Sequence, residues 1–298
     1  MDDLTNNLTI GSYNSNGLGE DRLCMLDKLC KQHCFVLVQE HWLLPNQLEK
    51  LSSIPNTCYH AISGMPTDTI VTGRPYGGCA IVWNRNFKGR VDPVNVMPER
   101  GCGVVISIHS RTILLANVYM RTDTCHDLTN YAEYKSIIQE IVDMKENLNI
   151  SCLIIGGDFN TELIRQNSLH TKAFNEVLGE NDLYSWHNSD FFTADYSYES
   201  KINGTRSLID HFIMSKNIFK ELFKTEVIHF GDNLSDHSAI SVGYYITIHS
   251  LDEDNHQPVC NSNNPLWHNL TEEVITNYRR SLDSILTPLT VLIFNVMI

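Results

Sequence analysis

The sequence predicts a mixed α/β protein. Short continuous apolar runs such as FVLV (35–38) and CLII (152–155) have the length and composition of strands buried on both faces. Between such runs, residues 21–34 and 131–148 carry apolar side chains at helical spacing. Polar residues with acid, base or ligand chemistry stand where the apolar runs stop. In α/β proteins, sites gather at strand ends, where loops converge on a rigid scaffold.

Taken in order, residues 8–13 read as a first strand, and Asn14-Ser15-Asn16-Gly17 as its turn. Leu23, Leu26, Leu29 and Cys30 then mark an amphipathic helix. The strand at 35–38 runs straight into Gln39-Glu40-His41-Trp42, and residues 63–78, rich in Gly, Pro and Thr, read as a loop. Residues 79–83, 104–108 and 113–118 read as strands, the last delivering Tyr119 and Arg121. In the helix over 131–148, Tyr134, Ile137, Ile138 and Ile141 share one side.

The stretch SCLIIGGDFN (151–160) organises the chain. Its glycines permit a sharp turn or a close backbone approach. If the segment stays extended, Asp158 and Asn160 point the same way. A carboxylate and an amide on one side suit a metal ion, a phosphate and an attacking water. The same residue types also make ordinary turns. A short helix is expected over 171–178 and strand-like aromatics over 191–199. Another strand is expected over 207–214, with Asp210 and His211 embedded in it. Strands at 226–230 and 239–248 flank Ser235-Asp236-His237.

Composition shifts near residue 250. Residues 251–264 are polar and turn-rich and read as a linker, 267–286 as a helix, and the apolar tail after Pro288 as a truncated frame. The expected organisation is one domain over 1–248, then a linker, helix and truncated tail over 249–298.

The 298 residues are 42% apolar, enough for a substantial core, and carry a formal net charge of −13. That charge argues against a basic nucleic-acid coat and against binding an anionic membrane, though not against a local basic groove. Nine cysteines without a CxxC pair point to thiols in a reducing compartment rather than to zinc. The acidic N-terminus does not read as a signal peptide and no apolar run spans a membrane, so the expected location is intracellular.

Taken singly, most strand-end residues have plain structural readings. Asn14 is a turn residue, Glu40 suits a helix start, Tyr119 suits a half-buried core position, and Asp236 suits a cap. Asp210 is harder to dismiss. Between Ile209 and Phe212, an unpaired carboxylate costs several kcal/mol to bury, as an order of magnitude. It needs a partner, and His237 is the candidate.

In order along the chain, SYNSNGL, VQEHW, NVYMR, GGDFN, SLIDHF and SDHSAI resemble the motif series of the endonuclease/exonuclease/phosphatase superfamily. Residues 8–246 span the series, and SLIDHFIMS is most similar to the form found in non-LTR retrotransposon endonucleases. The segment 265–286 resembles the one that joins such domains to a reverse transcriptase, and no reverse transcriptase follows it here. Asn16 stands where many apurinic endonucleases carry Asp, which argues against an abasic-site specialist; His41 stands where Thr often follows the Glu.

The resemblance implies a deoxyribonuclease I-like sandwich of two mainly antiparallel sheets flanked by helices. It implies a metal-dependent phosphodiester hydrolase, a DNA-nicking endonuclease of retrotransposon type. Mg²⁺ is the implied cofactor, Mn²⁺ the alternative, held by Glu40 and by Asp236 where that residue does not hold the network instead. Asp158 would orient or deprotonate water, and Asn160 would hold that water or a phosphate oxygen. His237, paired with Asp210, would donate to the phosphate, with Tyr119 and Asn14 adding hydrogen bonds. Whether Asp158 or the His–Asp pair is the base stays open. Asn16 and Arg121 would bind substrate. The partners implied are DNA, no membrane, and a reverse transcriptase carried elsewhere. The rival readings are a phosphatase on small esters or lipids in the same fold, and a catalytically idle nucleic-acid-binding remnant.

Overall fold

The computed structural model describes residues 6–65, 73–96, 100–123, 128–165 and 168–246. Backbone proximity groups the chain into Met1–His249 and Ser250–Ile298, and every described residue lies in the first unit. The expected linker, C-terminal helix and tail therefore fall outside the described residues, as do positions 66–72 of the expected loop.

Two six-stranded sheets form the body. The first runs in the order β13 (Leu222–Ile228), β14 (Ala239–Ile246), β1 (Asn6–Asn14), β2 (Phe35–Gln39), β4 (Cys79–Asn84), β3 (Thr57–Ile62). The second runs β5 (Arg90–Val94), β6 (Gly101–Ile108), β7 (Arg111–Tyr119), β8 (Cys152–Asp158), β12 (Asp210–Ser215), β9 (Leu183–Ser185). A short ribbon pairs β10 (Tyr198–Glu199) with β11 (Arg206–Ser207). Among the described strands, only β1 with β2 and β7 with β8 pair in parallel. Each parallel pair is bridged by a helix, as parallel neighbours require: α1 (Glu20–Gln32) and α2 (Leu128–Asn147). This is the mainly antiparallel sandwich flanked by helices.

Four layers bury the apolar runs. Ile10, Phe35, Leu37, Val104, Leu115, Ile154 and Phe212 fill the space between the sheets. Leu26 and Leu29 of α1 pack against Val36 and Val38 on the outside of the first sheet. Ile138 and Ile141 of α2, with Phe174 of α3 (Leu169–Glu180), cover the second. Each such large side chain contributes ~1.5–3 kcal/mol by leaving water. Central strands such as β2 and β8 are therefore buried at every position, which is why they read as continuous apolar runs. Among the described residues, no helix is long and apolar enough to cross a membrane. All seven described cysteines carry free thiols.

Several elements depart from the expected course, among them the strand expected over 226–230, which runs over Leu222–Ile228. Residues 191–199 form strand only at Tyr198–Glu199, because the aromatics there serve loop packing instead. Phe192 stacks on His187 at 4.2 Å between ring centroids and meets Trp186 edge-on. Strands β3 and β5 have no continuous apolar signal because they are sheet edges, half exposed, and β5 carries Pro93.

Candidate active site

Topology alone brings the six motifs together. β1 and β2 are parallel, so Asn14 and Glu40 leave the first sheet at the same end. β14 runs against β1, so the Ser235–His237 turn that precedes it lies at that end too. In the second sheet β7 and β8 are parallel and β12 runs against β8, which sets Tyr119, Asp158 and Asp210 in one row. Glu40, Tyr119, Asp158, Asn160, Asp236, His237 and Asn16 line one cavity of about 330 Å³ at this end.

Asn14 is fully buried and bridges two carboxylates. Its Nδ2 donates to Glu40 Oε1 and to Asp158 Oδ2, each at 2.8 Å, and its Oδ1 accepts from the Asn16 N–H. Both amide hydrogens are committed to carboxylates. Asn14 therefore spaces the two carboxylates.

Glu40 begins no helix. Its φ is +51° and that of Trp42 is +56°, two left-handed turns in bulky residues. Such backbone costs about 1–3 kcal/mol per residue and persists only where surroundings over-determine it. Here the Gly17 N–H donates to the Glu40 carbonyl, and the Trp42 N–H to the Gly77 carbonyl. The Trp42 ring lies so close over Gly17 that a Cβ there would meet it at 2.2 Å. The result is that the Trp42 indole N–H donates to Glu40 Oε2 at 3.2 Å.

Asp210 has the partner its burial requires. Its Oδ2 accepts from His237 Nδ1 at 2.9 Å and from the Ser197 hydroxyl at 2.6 Å. Ser197, wholly buried, in turn accepts the Asp210 N–H at 3.1 Å. The other ring nitrogen, His237 Nε2, lies 3.9 Å from Asp158 Oδ2. Burial opposes charge on the His237 ring. Asp210 beside it outweighs that, aided by Asp158, and raises the imidazole to about 10. Burial first, and then the Asp210 charge, push the Asp158 carboxyl up to about 7, while His237, Asn14 and the Asn160 N–H pull the other way.

The remaining candidates fall into place unevenly. Asp158 and Asn160 do not lie on one extended stretch, since Asn160 has φ +50°. The turn instead lets the Asn160 N–H cap Asp158 Oδ1 at 2.8 Å, while Asn160 Nδ2 donates to the Met120 carbonyl. The Tyr119 hydroxyl is raised by burial, then by the Glu40 and Asp158 charges, so it stays a donor. Asn16 Nδ2 holds Asp236 Oδ1 at 2.8 Å, and the Ser235 hydroxyl ties that loop to the Asn14 carbonyl. Arg121 is outside the cavity, paired with Glu133 at 2.7 Å; the arginine that lines it is Arg165.

Sequence reasoning missed Ser197, Trp42 and Arg165. It also missed a buried polar strut between the sheets, in which Gln39 Nε2 donates to Asn117 Oδ1 and Asn117 Nδ2 to the Val38 and Ala80 carbonyls. Gln39 and Asn117 lie inside VQEHW and NVYMR, where a polar residue in an apolar run was the available signal.

Residues 113–241 match the family described as Endonuclease-reverse transcriptase. An AP endonuclease from Leishmania major superposes with a TM-score of 0.64 at 13% identity, over 80% of this chain and 88% of that one. The endonuclease domain of TRAS1, a telomere-specific non-LTR retrotransposon, gives 0.60 at 13%, over 80% and 98%. A 3′ phosphatase from Neisseria, bound to a product DNA hairpin, gives 0.60 at 15%, over 80% and 99%. The fold is that of the endonuclease/exonuclease/phosphatase superfamily. The family match covers less than half of the chain, and the likeness to the TRAS1 domain is one of fold.

In this endonuclease/exonuclease/phosphatase fold the donor set suits a hard divalent cation. Glu40, Asp158 and Asp236 turn carboxylates to one cavity, and oxygen ligands favour Mg²⁺ or Mn²⁺. Asp158, Asp210 and His237 also offer ligand atoms within 4.8 Å of one another and could hold such an ion.

Proposed function

We propose that this chain is a divalent-metal-dependent phosphodiester hydrolase acting on DNA, an endonuclease of the kind associated with retrotransposon reverse transcriptases. The observation that carries the reading is the hydrogen-bonded chain Ser197–Asp210–His237, which ends 3.9 Å from Asp158 in a carboxylate-lined cavity.

Glu40 would hold the cation, with Asp158 and Asp236 facing the same cavity. The Asp210 side is the poorer holder, because its Oδ2 is shared by Ser197 and a ring that stays protonated at neutral pH. Bound there, a divalent cation supplies charge neutralisation to the phosphoryl and leaving oxygens. The chain's own residues do the rest. Asp158, buried at the cavity wall with Oδ1 capped by the Asn160 N–H, takes the proton of the attacking water. His237 donates from Nε2 to a phosphoryl oxygen while Nδ1–H stays on Asp210, and the Tyr119 hydroxyl donates a second hydrogen bond. Asn14 and Trp42 hold the carboxylates in register.

A supercoiled-plasmid assay tests this. Nicking is expected with Mg²⁺ and lost in excess chelator. Glu40→Ala and Asp158→Ala should each lower the rate about a hundredfold or more with native-like circular dichroism. Undiminished nicking in chelator would sink the reading.

A further inference from the structure

A second cavity, of about 470 Å³, adjoins the first, and Tyr119 and Thr122 line both. Arg100 and Arg121 stand in it with a single carboxylate, Glu133. Arg121 Nε pairs with Glu133 Oε2 at 2.7 Å, and Arg100 Nε lies 3.8 Å from Oε1. Both contacts use Nε, so the Nη groups have no carboxylate partner of their own among the described residues. Among the described residues, neither arginine has another ion pair. Two guanidiniums against one carboxylate leave one positive charge in excess, in a chain of net −13.

Arg100 is also held in place. The Tyr119 N–H donates to the Arg100 carbonyl at 2.8 Å, and the Arg100 guanidinium lies 6.0 Å from the Tyr119 ring centroid. The planar fork of arginine matches a phosphate bidentately. A small phosphate ester carries no neighbouring backbone phosphate to place there. A polynucleotide strand presents a neighbouring phosphate one nucleotide away.

We infer that Arg100 and Arg121 form a second phosphate subsite, which takes the backbone phosphate of DNA next to the one held against Tyr119. Glu133 is its brake: it orients both guanidiniums and weakens their pull on an anion. The inference deepens the endonuclease reading and rests on it for the identity of the neighbouring phosphate.

The test is equilibrium binding of a fluorescent DNA duplex to the full chain in excess chelator, as a function of salt, so turnover does not enter. Arg121→Gln and Arg100→Gln should each weaken binding about tenfold at low salt. Each should flatten the slope of log affinity against log salt by about 1. Glu133→Gln should bind about threefold tighter, a gain that misfolding cannot mimic. Arg90→Gln, at the far end of the second sheet, should match wild type. The subsite is overturned if wild type does not bind, if the Arg100 and Arg121 variants match wild type, if Arg90→Gln falls equally, or if Glu133→Gln binds no tighter. If binding follows the expected pattern but Mg²⁺ gives no nicking, the hydrolase reading fails and the subsite stands.

Discussion

One amide sets the spacing of two carboxylates, and one indole fixes the rotation of a third contact. Asn14 donates to Glu40 and Asp158, and Trp42 donates to the far oxygen of Glu40. Replacing Trp42 by Phe keeps a ring over Gly17 but removes the N–H. Partners of this outer kind typically change metal affinity or activity by 10–100-fold, so Trp42→Phe should lower kcat/KM for plasmid nicking about tenfold. Unchanged kcat/KM would mean that Glu40 is held by its backbone alone. The Asp210–His237 pair makes a sharper statement about protons. His237 is raised to about 10 against the burial that opposes its charge, so it is a donor at neutral pH. In Asp210→Asn that support is gone, and the alkaline loss of activity should begin at lower pH than in wild type. If instead an acidic limb moves downward, the pair is the base and Asp158 is not. The pairing itself was legible from a carboxylate embedded in SLIDHF. Ser197, which anchors that carboxylate, was not, since a serine in a loop carries no periodic or charge signal until the fold places it.

At the level of elements, β8 was the most readable part of the chain, and its glycines leave little room for a side chain. Its burial on both faces produced the unbroken apolar run, and its glycines serve close packing rather than a chain reversal. Gly157 has φ +146°, and a Cβ there would meet the Val118 carbonyl oxygen at 2.0 Å in the neighbouring β7. Gly157→Ala combines forbidden backbone with a clash against main chain. It should destabilise by about 3 kcal/mol or more, visible as a lower urea midpoint or failure to fold. A midpoint within error of wild type would show that β7 and β8 can part at this register. The edge strands β3 and β5 were invisible for the opposite reason. They are half exposed and mixed in composition, so no apolar run betrays them. The left-handed residues of the turn after Gln39 left no local signal, because they are imposed by Gly17 and Gly77 from other parts of the chain.

Across the whole molecule, the charge-dense end of the sandwich opposes the stability that the layers provide. Without a cation, Asp158 has a folded pKa of about 7, above its ordinary 3.8. The native state then binds more protons than the unfolded chain between these values, so stability falls as pH rises through that window. His237, at about 10 against an ordinary 6.5, adds a decline from pH 6.5 upward, as its charged form loses its proton. Both slopes have the same sign, so the metal-free protein should show its highest Tm on the mildly acidic side and lose stability steadily toward alkaline pH. A divalent cation held by the ionised carboxylates of the native state alone would stabilise it by mass action. Its effect should be small where Asp158 is protonated and grow as that group ionises. The expected result of thermal melts at fixed ionic strength is therefore a Tm increment from Mg²⁺ that is near zero at pH 5 and rises through pH 7 to pH 8. The Glu40→Ala variant should lose most of the increment while retaining the pH slope of the metal-free protein, because Asp158, Asp210 and His237 are untouched. An increment equal at pH 5 and pH 8 would place the cation away from Asp158. An increment preserved in Glu40→Ala would move it to the cluster of Asp158, Asp210 and His237.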